Sequence, residues 1–389
     1  VIHRGEAAFW RTNLALFSAG LATFALLYAV QPLLPVFAMA FGRGAAGASL
    51  VLSGTTAALA ISLLAASAVA DALGRKKVMV AAMLSSAVLC MACAASPGYL
   101  TLLLLRAAMG LTLSGLPAVA MAYVAEEMAP GAAGLAIGLY IGGSAIGGMT
   151  GRLLAAAVSD AWGWRAALLA VGALGLACGA ALWLALPASR HFTPQPPRPR
   201  RLAAALAGQW RIVSQRRLFA LAFLLMGGFV STYNYIGFRL LAPPYSLRQG
   251  SVGLIFSVYL VGVVSSTVMG GAGRRLGRAR VIGGNLALMA AGLALTLAAP
   301  VWLIVIGVAA ITAGFFGAHA VASAWVAEAG GATRAQASAL YLFCYYAGSS
   351  VVGSLAGLAW THAAWPGVAA VIGLCIVAAL ASSPKWATP

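Results

Sequence analysis

The chain has 389 residues, of which 62% are hydrophobic and 8% charged, with a mean hydropathy of +0.97 and a net charge of +18. A soluble domain averages roughly 25% charged and 45–50% apolar residues, so a single water-soluble core is excluded. The basic residues sit between apolar runs instead of lining one face, which argues against nucleic acid as a partner and for a lipid bilayer as the surroundings.

A membrane helix needs about 20 mostly apolar residues. Such runs lie at about 12–40, 48–70, 78–96, 99–124, 133–158 and 164–186, then at about 217–241, 251–273, 280–298, 301–326, 334–358 and 365–382. The first run is longer than the apolar core of a signal peptide and lacks an A-x-A exit with a mature domain after it, so no cleavable leader is expected. Between the two sets lies PASRHFTPQPPRPRR, residues 187–201, too rich in proline and arginine to span and read as an extended linker. The following RLAAALAGQWRIV has the pattern of a short surface helix. The expected architecture is an all-α membrane protein with twelve transmembrane helices in two pseudo-symmetric six-helix bundles. The N-terminal bundle is placed at 1–186, a cytoplasmic Pro/Arg-rich linker at 187–216 and the C-terminal bundle at 217–389.

Loop charge gives an orientation. Eighteen of the 24 basic residues fall on one side, including Arg75, Lys76, Lys77, the linker arginines and Arg274, Arg275, Arg278 and Arg280; four fall on the other. The rich side is the cytoplasmic one, which puts both termini inside. The chain also repeats itself. AVAMAYVAE at 118–126 and AVASAWVAE at 320–328 share seven of nine positions at an offset of 202, and DALGRKKV at 71–78 aligns with RRLGRARV at 274–281 at an offset of 203. Parallel repeats about an axis along the membrane normal are one architecture of secondary transporters.

Five cysteines, including the C-x-x-C of Cys90 and Cys93, lie in apolar runs with no second pair or histidine at metal spacing, so they read as packing residues and no metal is expected. No G-x-x-x-x-G-K-[ST] loop is present, which removes that route to ATP, and no cofactor is expected. The six acids are Glu6, Asp71, Glu126, Glu127, Asp160 and Glu328, none near the middle of a predicted span. Charge at the bilayer centre costs about 2.5–3.5 kcal/mol on insertion scales, so Arg106 and Arg152, each inside a span, mark candidate sites. Arg106 lies about 7 residues into its span, roughly 10 Å at 1.5 Å per residue. Either the two arginines bond backbone carbonyls or they line a cavity and attract an anionic group. His319 is either a packing histidine or a proton carrier. Tyr28, Gln31, Tyr140, Tyr233, Asn234, Tyr345 and Tyr346 supply the few polar groups a mostly apolar substrate pocket needs, or pack helices. The glycines of the fifth span, Gly143, Gly147 and Gly148 among them, permit close helix approach. Arg75, Lys76 and Lys77 are placed to pair with Glu126 or Glu127, and Glu328 with Arg275 or Arg278.

Over its whole length the chain resembles the major facilitator superfamily. A-D-x-x-G-R-K-K at 70–77, with Asp71 and Gly74, resembles that family's loop between helices 2 and 3, though Ser67 stands where the family has glycine. Leu102, Arg106 and Gly110 resemble its helix-4 motif, linked there to proton coupling. GSAIGG at 143–148 resembles its helix-5 antiporter motif, with Ser144 in place of proline. LLYAVQPLLP, GFFGAHAVASAW and SALYLFCYYAGSS are similar to a bacterial drug and metabolite efflux subgroup. The resemblance implies that Asp71 meets the start of helix 11 when the cytoplasmic side closes, with Gly74, Arg75, Lys76, Lys77, Glu126, Glu127 and Glu328 forming the cytoplasmic gate, and that the helix-5 glycines face helix 8. The expected function is secondary active transport of a small organic solute across the bacterial inner membrane by alternating access, as proton-coupled efflux, by a monomer. Import of a small organic anion is the alternative. A non-transporting sensor and an intramembrane enzyme built on Ser114 and His319 are the rivals from other classes.

Overall fold

The structure, a computed structural model, describes residues 1–189, 192 and 199–382. Residues 190, 191 and 193–198 of the expected linker, Arg190 and Arg198 among them, and Lys385 near the C-terminus lie outside the described residues. Among the described residues the named elements are all helical, and eight of the helices are long and apolar enough to cross a membrane. Contacts gather the chain into two compact units, Val1–Leu33 with Gly54–Arg198, and Leu34–Ser53 with Pro199 onward.

The first unit holds α1 (Ala7–Tyr28), most of α3 (Ala45–Leu73), α4 (Arg75–Ala94), α5 (Tyr99–Leu113), α6 (Pro117–Glu127) and α7 (Pro130–Ala185). Two of its predicted spans are interrupted. The first stops at Tyr28 and resumes as α2 (Leu34–Ala40) after a five-residue turn containing Pro32, while the fourth breaks at 114–116 ahead of Pro117. Proline removes a backbone donor and clashes with the carbonyl four residues back, which is why both breaks sit at prolines. α7 is two spans in one, bent at Gly163, where φ is 81° and the backbone leaves the helical region.

The unit is closed by glycine. A Cβ on Gly147 would meet the backbone of Leu21, one on Gly143 that of Phe17, and one on Gly151 the Cα of Ala25 at 2.5 Å, so α7 lies directly on the α1 backbone. For these glycines the approaching helix is α1, where the sequence reading expected helix 8. Lipid tails are as apolar as leucine, so helices in a membrane are held by close packing and hydrogen bonds more than by hydrophobic burial. At Ser144 the side chain donates to Tyr140 O at 2.9 Å, the carbonyl that a proline ring at this position would displace.

The second unit holds α2, the start of α3, α8 (Pro199–Arg211), α9 (Val213–Leu241), α10 (Gln249–Gly253), a 3-10 turn and α11 (Tyr259–Leu276), α12 (Arg278–Thr296), α13 (Val301–Ala329) and α14 (Arg334–Ser382). α8 is the expected surface helix: Leu202, Ala205, Leu206 and Gln209 form its less exposed stripe, Gln209 Nε2 donates to Thr333 Oγ1 at 2.6 Å, and Trp210 stacks on Phe219. α14, like α7, contains two spans, bent at Ala363 and Ala364 ahead of Pro366. The Leu34–Ser53 segment is fixed on this unit by Ser350 Oγ donating to Ser53 O at 2.8 Å, while Tyr235 ties α9 to α14 through Gly353 O at 2.7 Å. With α1 running on to α2, α5 on to α6, α10 through the 3-10 turn to α11, and α7 and α14 each counted twice, the described helices other than α8 form twelve continuous segments.

The sequence repeat is a structural one. Gly74 ends α3 at φ 97° and Gly277 ends α11 at φ 88°, both in territory that favours glycine, so each copy reverses into its next helix without strain. Each copy then ties that next helix to the end of a later one by an arginine–glutamate pair, Arg75 with Glu126 and Arg278 with Glu328.

Candidate functional site

The break in the first span is where two buried arginines of the first unit, Arg106 and Arg152, meet the chain. α1 ends at Tyr28, leaving carbonyls of its last turn without helical donors. Arg106, fully buried on α5, donates through Nη1 to Leu26 O at 3.0 Å and through Nη2 to Leu27 O at 2.7 Å. A cation at a helix C-terminus meets the negative end of the macrodipole, which offsets part of the cost of burying the charge. These two bonds clamp the backbone at the end of α1, the first of the two arrangements the sequence left open for Arg106.

Arg152 is 1% exposed and approaches the same break from α7. Its Nε donates to Gln31 Oε1 at 2.6 Å and its Nη1 to Gly148 O at 2.5 Å, and its guanidinium carbon lies 4.5 Å from the centre of the Tyr28 ring. Tyr28 and Gln31 flank the end of α1 only because the helix stops there. Non-helical backbone at membrane depth persists where it is buried in protein or lines a water-filled cavity, and transporters use such broken helices for substrates. Tyr140 is buried on α7, one turn before Ser144. In the sequence Tyr28, Gln31 and Arg152 stand apart, and the break that unites them is not evident from hydropathy. Its signal was present in Q-P-L-L-P.

In the second unit the expected residues form an aromatic cluster. His319 Nδ1 is 2.9 Å from the Tyr341 hydroxyl, and its ring lies against Tyr345 with centroids 4.8 Å apart and parallel to Phe315 at 5.8 Å. Tyr345 and Tyr346 meet edge to face. Phe315 stacks on Phe229 at 3.8 Å, and Tyr233, whose hydroxyl is 2.7 Å from Thr312 Oγ1, continues the cluster. Asn234 is buried beside it in sequence. The sequence reading did not find Phe229, Phe256, Tyr259, Phe315 or Phe316, because an aromatic residue in an apolar span has the same pattern whether it faces lipid or a neighbouring ring.

The basic end of the first unit contains a network. Arg75 holds Glu126 through two bonds, Nε–Oε2 at 3.1 Å and Nη2–Oε1 at 2.6 Å, and Asp71 through Nη1 at 2.5 Å. Lys76 departs from the expected carboxylate pairing and donates to the Leu186 carbonyl at the end of α7. Glu127 is buried, and its backbone oxygen accepts the amide of Ile2 at 2.7 Å. Lys77 is exposed. Ser114 Oγ donates to Leu111 O at 2.8 Å, so its hydroxyl serves the helix backbone.

A polytopic helical chain of two repeats, with cations buried at a broken helix, has the construction of a membrane transport protein. Residues 16–250 match the sequence profile of the Major Facilitator Superfamily. The chain is 46% identical over 379 residues to the inner membrane transport protein YnfM of Escherichia coli, covering 97% of this chain and 91% of that one. The chain belongs to the Major Facilitator Superfamily, and its relatives are named as transporters, not enzymes. Over 158 residues, 40% of this chain and 35% of the relative, it is 35% identical to a gallate transporter of Pseudomonas putida. Among solved structures, the nucleoside transporter NupG superimposes with a TM-score of 0.78 at 15% identity, covering 95% of this chain and 99% of that one, which speaks to the fold alone.

Proposed function

We propose that this chain is a proton-coupled secondary active transporter of the bacterial inner membrane, built from bundles at 1–186 and 217–389, whose cargo is a small organic anion. The observation that carries the reading is Arg152: a guanidinium buried on α7, oriented by Gln31 and backed by the Tyr28 ring at the break in the first span. A planar, permanently charged fork suits a carboxylate better than an ammonium would. Similarity to a gallate transporter supports the same class, since gallate is an aromatic carboxylate. His319, with its partner Tyr341, is the proposed proton carrier.

Export is the direction favoured by the GSAIGG segment at 143–148, whose Gly143 and Gly147 pack on α1 and whose Gly148 carbonyl holds Arg152, and import is the alternative. Proteoliposomes with an imposed pH gradient test both. Flux of hydroxybenzoates is expected to rise with the gradient, and the gradient polarity that drives accumulation assigns the direction. His319→Gln should abolish the response to the gradient while leaving anion exchange at equal pH. Flux confined to lipophilic cations, or a gradient response that survives His319→Gln, would defeat the anion or the histidine assignment respectively.

A further inference from the structure

The first unit carries two adjoining cavities away from Arg152. One, of about 620 Å³, runs between α3, α4 and the α5–α6 turn, with Val69, Ala81, Leu111 and Ser62 among its walls. Val69, Leu73 and Leu111 are exposed there. The other, of about 780 Å³, lies at the basic end between the α3–α4 turn and the end of α7, lined by Lys76, Lys77, Trp183 and Ser189. They share Leu73, Lys77 and Ala81 and so form one trough, apolar along α3 and α4 and basic at its mouth.

We infer that this trough binds one anionic phospholipid, its phosphate at Lys76 and Lys77 and an acyl chain along α3 and α4. Four observations converge on that occupant. Lys77 is exposed and makes no hydrogen bond among the described residues, so its ammonium is available. Ser189 Oγ is buried at the mouth with no hydrogen-bond partner among the described residues, a position a headgroup oxygen would satisfy. No side chain caps the N-terminus of α4, which begins at Arg75 and leaves amide donors beside the two lysines. Trp183, 60% exposed at the end of α7, stands where indole rings sit at a membrane–water interface. Asp71 and Glu126, the acids facing this turn, are both held by Arg75, which reduces their repulsion of a phosphate. A free anion would need only the mouth; the apolar trench continuous with it is what selects a lipid.

The test is native mass spectrometry of the full chain released from detergent, titrated with phosphatidylglycerol, phosphatidylcholine or soluble glycerophosphate. A basic residue near an anionic surface contributes enough that removing Lys77 and Lys76 should cost about 30-fold in phosphatidylglycerol affinity. Phosphatidylcholine should bind more weakly than phosphatidylglycerol to the wild type and change little in the variant. Lys77→Gln alone, at an exposed residue, should cost about fivefold and covers the case in which the double variant fails to fold. Ala81→Leu, which narrows the trench, should weaken both lipids together. Equal affinity for the two lipids, binding of glycerophosphate as tight as that of the lipid, or a dimer that excludes lipid from the trench would each overturn the assignment.

Discussion

Replacing Glu126 by glutamine removes the carboxylate that Arg75 grips with two bonds, and Glu328→Gln does the same to the repeat copy at Arg278. The repeat makes the pairs equivalent in sequence; burial makes them different in energy. The Arg75 side chain is 9% exposed and that of Glu126 30%, against 31% for Arg278 and 60% for Glu328. Breaking a fully buried pair costs about 3–5 kcal/mol, and an exposed pair contributes about 0–1 kcal/mol. Asp71 remains on Arg75 after the substitution and Glu126 is partly wet, which brings the expected loss for Glu126→Gln to about 1–2 kcal/mol. For Glu328→Gln it should stay below about 1 kcal/mol and shrink further in high salt. Double-mutant cycles of Arg75 with Glu126 and of Arg278 with Glu328, read by denaturant unfolding in detergent, give the two coupling energies directly. A coupling at Arg278–Glu328 equal to or larger than that at Arg75–Glu126 would refute the argument that burial and bidentate geometry set the difference.

Gly147→Ala should cost about 1–3 kcal/mol by forcing α7 off the α1 backbone, while Gly138→Ala, with open space around it, should be neutral or stabilise by up to about 1 kcal/mol; thermal unfolding of the pair checks both. Gly74→Ala should lose about 1–3 kcal/mol from its positive φ, detectable by the same melt. Arg106 and Arg152 should separate in their effects. Arg106→Gln removes a clamp on Leu26 and Leu27 and should lower stability, whereas Arg152→Lys should keep the fold and raise the KM of anion flux, because an ammonium cannot present the same planar fork. Equal stability losses with unchanged KM would make Arg152 a packing residue.

The all-helical, membrane-spanning character of the chain and the likeness of its two glycine-ended basic turns were legible in the sequence. Hydropathy, proline and loop charge are local properties that survive without tertiary contacts. That each basic turn has acids of a later helix for partners was legible too, but the choice of Arg75 for Glu126 and of Arg278 for Glu328, among the bases and acids available, was made by the fold. What the sequence concealed is which face of each span meets protein. In a soluble helix the polar face marks the outside, whereas here both faces are apolar and periodicity is nearly silent. The placement of Gly147 on Leu21, and of Phe229 on Phe315, was therefore decided by packing alone. The same holds for the break after Tyr28: two prolines announced a bend, but only the fold brought Arg106 and Arg152 from two other helices to its exposed carbonyls and to Gln31. A buried guanidinium must find acceptors wherever the chain leaves them, and those acceptors exist only once α1 has ended beside α5 and α7.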